Sequence, residues 1–127
     1  MPRAAQTLGA IAAVMGAAGV ALAAAAAHGG GGSLAETGAL FLIIHAGALL
    51  GLIGAVNSAA PDKAGRAVLV GGFALASAAS LFSADLASRG LAGDRLFPFA
   101  APVGGTGMIF SWLFIAAIFA WRALPRR

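Results

Sequence analysis

Three observations predict an all-α integral membrane protein: four transmembrane helices in an up-down-up-down bundle, both termini cytoplasmic. First, the runs Thr7–Ala27, Gly38–Ser58, Ala67–Ala84 and Val103–Trp121 contain no Asp, Glu, Lys or Arg. Each approaches the ~20 residues that a helix needs to cross ~30 Å of hydrocarbon. Second, charged residues make up 9% of the chain and hydrophobic ones 61%, with a mean hydropathy of +0.95. A soluble domain carries about 25% charged residues, so this one would lack the polar surface to stay dispersed. Third, Lys and Arg are distributed unevenly between alternate flanks, which sets orientation. The 127 residues read as one four-helix domain. Membrane-barrel strands would be about ten residues long with polar alternation, and no such pattern occurs.

The first helix is expected over residues 7–27. Arg3 and the Ala25-Ala26-Ala27 stretch also suit a cleaved secretory signal, but the run is longer than a usual signal core, so it reads as a retained helix. It ends at His28 and the Gly29–Gly32 tract, read as flexible. The second helix, 38–58, follows Glu36 and stops before the turn Pro61-Asp62-Lys63. The third should begin around Arg66 and run over 67–88, closing at Arg89-Gly90. The link from Leu91 to Pro102 is apolar but carries two prolines, which places it in the interface or over the bundle end. The fourth, 103–121, ends at Trp121-Arg122, an aromatic and a cation suited to an interface anchor.

Arg3, Lys63, Arg66, Arg122, Arg126 and Arg127 occupy the N-terminus, second loop and C-terminal tail, against Arg89 and Arg95 in the other loops. That bias puts both termini in the cytoplasm, and a bacterial inner membrane is the expected location. Positive residues scattered singly between apolar runs form no stripe for a phosphate backbone, which excludes nucleic acid as a partner. With no cysteine, there is no disulfide, iron–sulfur or thiolate chemistry.

Small residues at helical spacing suggest helix packing, because close backbone approach is what binds helices in lipid. The candidates are Gly47, Gly51 and Gly54 on the second helix; Gly72, Ala76 and Ser80 on the third; and Gly104 and Gly105 on the fourth. A further seam, Gly9–Gly16–Gly19, marks the first helix.

Polar residues that could carry chemistry collect toward the outer half: His28, Glu36, His45, Ser83, Asp85 and Arg89. Intramembrane ionisable groups suggest function by default, and His45 is the deepest. Structural roles compete for each. A neutral histidine is satisfied by a carbonyl or serine of a neighbouring helix, and His28 can cap a helix end. Asp85 and Arg89, spaced i, i+4, suit a helical ion pair, and Glu36 suits the positive end of the helix-two dipole. Bis-histidine haem requires two rings at one depth, which His28 and His45 do not offer. Glu36 and His45 stand about 180° apart on one helix, so they do not aim at a common metal. No nucleophile elbow, phosphate loop or HExxH is present. No cofactor or metal site and no catalytic residue is therefore expected.

The chain resembles the domain-of-unknown-function 423 family, the YgdD-like small bacterial inner-membrane proteins. The resemblance rests on Ala27-His28-Gly29, Glu36-Thr37-Gly38 with His45-Ala46, Phe82-Ser83, Pro102-x-Gly104-Gly105 and Trp112, in order along nearly the whole chain. It departs in a short, glycine-rich stretch between His28 and Glu36, in wholly apolar residues before His45, and in Asp85. The resemblance implies a four-helix inner-membrane protein and no defined activity. The expected role is a non-enzymatic accessory or assembly subunit that contacts lipid and other membrane subunits or itself. The alternative is a small ion or metabolite transporter using the polar cluster around His45.

Overall fold

A computed structural model describes residues 1–125. Among them are four helices: α1 (Arg3–Ala27), α2 (Gly32–Asn57), α3 (Lys63–Leu91) and α4 (Ala100–Ala123). Each is long and apolar enough to cross a membrane. Arg126 and Arg127, counted above toward orientation, lie outside the described residues.

Every helix starts earlier than its charge-free run, because helix ends are set by capping chemistry and not by hydropathy. At α1, the Pro2 carbonyl accepts from the Gln6 N–H, which brings Arg3 into the first turn. At α2 the Gly29–Gly32 tract is no flexible spacer but a tight turn. Gly31 adopts φ 82°, a left-handed conformation that glycine enters without penalty, and its carbonyl accepts from Ala35. The turn is also packed: a Cβ on Gly90 would stand 2.6 Å from the Gly31 oxygen. At α3, Asp62 is an N-cap, its Oδ1 accepting from Gly65 N at 2.6 Å, so the helix begins at Lys63 and not near Arg66. At α4, Pro102 sits in the first turn, where its missing N–H costs no intrahelical bond. That helix starts at Ala100, after Phe99, whose φ of 67° is the one positive non-glycine value among the described residues.

Successive helices run antiparallel. Gly9 faces Ile53 while Gly19 faces Ile43, Gly38 faces Ser83 while Gly65 faces Val56, and Gly71 faces Ile115 while Gly104 faces Phe82. The termini and the 58–62 connection therefore share one end, the termini end. The 28–31 and 92–99 connections share the other, the distal end. α1 packs on α2, α2 on α3 and α3 on α4, with a narrower α1–α3 contact. No Cα of α4 comes within 8 Å of one in α1 or α2. The architecture is thus a three-helix triangle with α4 laid against α3, not a four-cornered bundle.

Leu8, Leu49, Val68 and Leu75, all fully buried, fill the triangle, and Met108 and Ile115 of α4 extend the core past α3. Glycines mark the close crossings. A Cβ at Gly104 would lie 2.7 Å from Phe82 N and 2.9 Å from Ala78 O, both backbone atoms, and one at Gly72 would meet the Leu8 side chain at 2.7 Å. Gly19 and Gly71 hold similar crossings against Ile43 and Ile115. Ala76 is buried, and Gly105 leaves ordinary contact distance to the Phe82 ring. Gly47, Gly51 and Gly54 correct the expected seam. They face outward, with no heavy atom within 4 Å of any Cβ that would be added, so α2 packs through Leu42, Ala46, Leu49, Leu52 and Ile53 instead.

The termini end carries an ion pair that hydropathy reading assigned to the interface. Arg122 Nη2 donates to both Asp62 oxygens at 2.6 and 2.7 Å, tying the end of α4 to the start of α3. Trp121 beside it remains exposed.

Candidate functional site

The expected polar cluster consists of residues on three elements, and the fold treats them separately. His45 lies in the middle of α2 and is buried. Its Nδ1 is 2.8 Å from the Phe41 carbonyl oxygen, one turn back, and its Nε2 is 3.3 Å from Trp112 Nε1 of α4. A carbonyl only accepts and an indole N–H only donates. The ring is therefore the neutral tautomer with its proton on Nδ1, and both nitrogens are satisfied. Around it stand Phe41, stacked at 5.8 Å, and Trp112, tilted at 6.1 Å, with Phe82 of α3 against Phe41 at 4.8 Å. This small aromatic group spans α2, α3 and α4. Its hydrogen bond joins α4 to α2 across a gap that their backbones do not close.

Trp112 is the partner that sequence reading missed; a serine or carbonyl was expected to cross to His45. The signal was its position. A tryptophan at the midpoint of an apolar helix, away from either interface, buries an N–H that requires an acceptor, and His45 is the ring available. Trp112→Phe should therefore lower stability by about 1 kcal/mol, the net value of one hydrogen bond. His45→Phe should cost a similar amount, and the double variant less than the sum of the two. Far-UV circular dichroism during SDS titration measures this. Strictly additive losses would show the contact contributes nothing.

Asp85, almost fully buried on α3, does not pair with Arg89 as its spacing suggested. Its Oδ1 accepts from the Leu96 N–H at 2.9 Å, and no ion pair joins it to Arg89 among the described residues. The 92–99 connection brings a backbone donor to the buried carboxyl group, which needs a hydrogen-bond partner once removed from water. Ser88 Oγ donates to the Asp94 carbonyl at 2.6 Å, so the connection is fastened to α3 at two points. Arg89 itself is half-buried.

His28 is the exposed C-cap residue of α1, its backbone N–H donating to Ala24. Glu36 is exposed and is the fifth residue of α2, past the first turn where the dipole acts most strongly. Ser83 is fully buried where α3 meets Gly38 of α2 and Leu22 of α1, and its Oγ has no hydrogen-bond partner. None of the six residues bonds another through its side chain. Among the described residues, no three of the His, Asp and Glu side chains come together as a metal-binding group.

What the fold and these contacts define is a class: an all-helical, multi-pass membrane protein in which the buried His45 and Asp85 fasten elements to each other. The model of the DUF423 family, described as "protein of unknown function", matches residues 8–105, and the chain belongs to that family. No curated protein and no solved structure matches the chain.

Proposed function

We propose that this chain is a non-enzymatic membrane subunit that docks against another membrane protein or a second copy of itself, serving as an accessory or assembly element. The observation that carries this reading is the outward face of α2. Gly47, Gly51 and Gly54 lie on it at spacings of four and three, with nothing of this chain near them. A helix-interior glycine costs about 1 kcal/mol relative to alanine, and the internal packing uses none of the three. A neighbouring helix brought close against them would use all three. The attachment of α4 through α3 alone, with Phe110, Leu113 and Phe114 exposed, leaves a second broad face for contact.

The expected alternative, passage of an ion or small metabolite, has less support. His45 is occupied on both nitrogens, Asp85 holds a loop, and His28 and Glu36 stand outside. The termini end is cytoplasmic in this proposal, in a bacterial inner membrane, on the Lys and Arg bias given above.

The test is purification from native membranes in mild detergent. The chain should run within a larger assembly, and Gly51→Leu should release it without unfolding it, because Gly51 has open space around it. Recovery of the native protein only as a 12.3 kDa monomer would sink the proposal.

A further inference from the structure

A cavity of about 540 Å³ opens at the termini end, within the range of about 300–1,000 Å³ that small-molecule sites occupy. Pro2 before α1, Val56 and Asn57 at the end of α2, Pro61 in the 58–62 connection, and Arg66 and Leu69 of α3 line it. Leu69 is buried and Val56 half-buried, which gives the cavity an apolar inner side. Asn57 and Arg66 are exposed, with their polar groups available to an occupant.

Arg66 stands four residues after Asp62, the spacing of a helical ion pair. That pair is not formed. Both Asp62 oxygens accept from Arg122, and Oδ1 also accepts from Gly65 N. The carboxylate, which also borders the cavity, is thus committed to α4 and to the helix cap. Arg66 has no hydrogen bond or ion pair among the described residues, and neither does the Asn57 carboxamide.

No other acid replaces Asp62. Glu36, Asp85 and Asp94 all belong to the distal end, and Asp85 lies about 29 Å from Arg66 along α3 at 1.5 Å per residue. Among the described residues the termini end carries Arg3, Lys63, Arg66 and Arg122 against Asp62 alone. A guanidinium in that surplus, beside a carboxamide, offers N–H donors to an oxyanion, and its planar fork matches phosphate oxygens two at a time. Surplus positive charge favours the more highly charged anion. A phosphate monoester carries about −1.5 to −2 at neutral pH, more than a carboxylate does.

We propose that the termini-end cavity binds a phosphate monoester. Its oxygens accept from the Arg66 guanidinium and the Asn57 carboxamide, and its organic part lies against Val56, Pro61 and Leu69. A soluble phosphate ester and a phosphomonoester lipid headgroup present the same group. The site does not depend on whether α2 docks against a neighbour.

The full chain in a non-ionic detergent is titrated calorimetrically with glycerol 3-phosphate and, separately, with phosphatidic acid in mixed micelles. At least one of the two should bind at one site, more weakly as salt rises. Binding of phosphatidic acid alone assigns the site to a lipid headgroup, and binding of glycerol 3-phosphate to a soluble ester. Arg66→Gln should keep the helical spectrum and weaken binding about tenfold, the effect of losing a charge-assisted contact. Asn57→Ala should weaken it less. Arg3→Gln removes the same charge from the same end but from a residue outside the cavity lining, and should change binding little. Failure of both esters to bind would overturn the proposal. So would equal losses in Arg66→Gln and Arg3→Gln, which would show diffuse charge and no site, or unchanged binding in Arg66→Gln.

Discussion

Gly104→Leu is expected to separate α4 from α3 and to be strongly destabilising. A Cβ there meets Phe82 N and Ala78 O at 2.7 and 2.9 Å. Both are backbone atoms of a packed helix, so no rotamer change relieves the contact. Overpacking of this kind costs about 1–3 kcal/mol, and leucine adds further branches at the same crossing. Even Gly104→Ala should lower the SDS midpoint measurably. The neighbouring Gly105→Ala provides the opposite sign: its Cβ would stand 3.8 Å from the Phe82 ring, and alanine is the better helix former by about 1 kcal/mol. If the two alanine variants shift the midpoint alike, α4 does not cross α3 at Gly104.

The second large effect is expected at Asp62, where one carboxylate holds two elements. Oδ1 caps α3 through Gly65 N, and both oxygens accept from Arg122 of α4. Asp62→Ala removes the cap and the pair with Arg122 together. The cap contributes about 0.5–2 kcal/mol, and the ion pair, partly shielded, about 1 kcal/mol. Asp62→Asn keeps a competent cap and loses the charge, so it should cost at least as much as Arg122→Gln and less than Asp62→Ala. The ion-pair share should shrink in high salt, whereas the cap share should not. Midpoints compared at low and high ionic strength check the division; an Asp62→Asn variant as unstable as Asp62→Ala would contradict it.

Much of the fold was legible in the residues themselves. Four charge-free runs gave four helices, and short connections gave alternating direction. The helix ends were less legible, because they are set by individual atoms. Asp62 extends α3 backward by its carboxylate, Pro102 is tolerated where no donor is required, and Gly31 turns the chain through a left-handed conformation. Hydropathy registers none of these.

The candidate site was legible in its membership and not in its connections. His45, Ser83 and Asp85 were singled out as polar groups in apolar surroundings, and all three are buried. The partner that ties each to another element lies 67 residues away for His45 and 11 for Asp85, and Ser83 has none. Spacing along one helix pointed instead to Asp85 with Arg89, since i, i+4 neighbours are the pairs a linear pattern can display. The small-residue seam expected on α2 failed for a related reason. GxxxG spacing shows that one face of a helix is smooth, but not what that face meets. Gly104 faces α3, while Gly47, Gly51 and Gly54 face away from their own chain.

The sequence by itself determined the solvent and the element count, because a helix in hydrocarbon requires a long stretch without charge, and that is a property of consecutive residues. Only the tertiary structure decided that α4 stands on α3 alone, that Trp112 satisfies His45, and that the buried Ser83 hydroxyl is left without a partner. Those outcomes depend on which faces meet across three dimensions, and the free energy of each contact belongs to a pair of distant residues, not to either one.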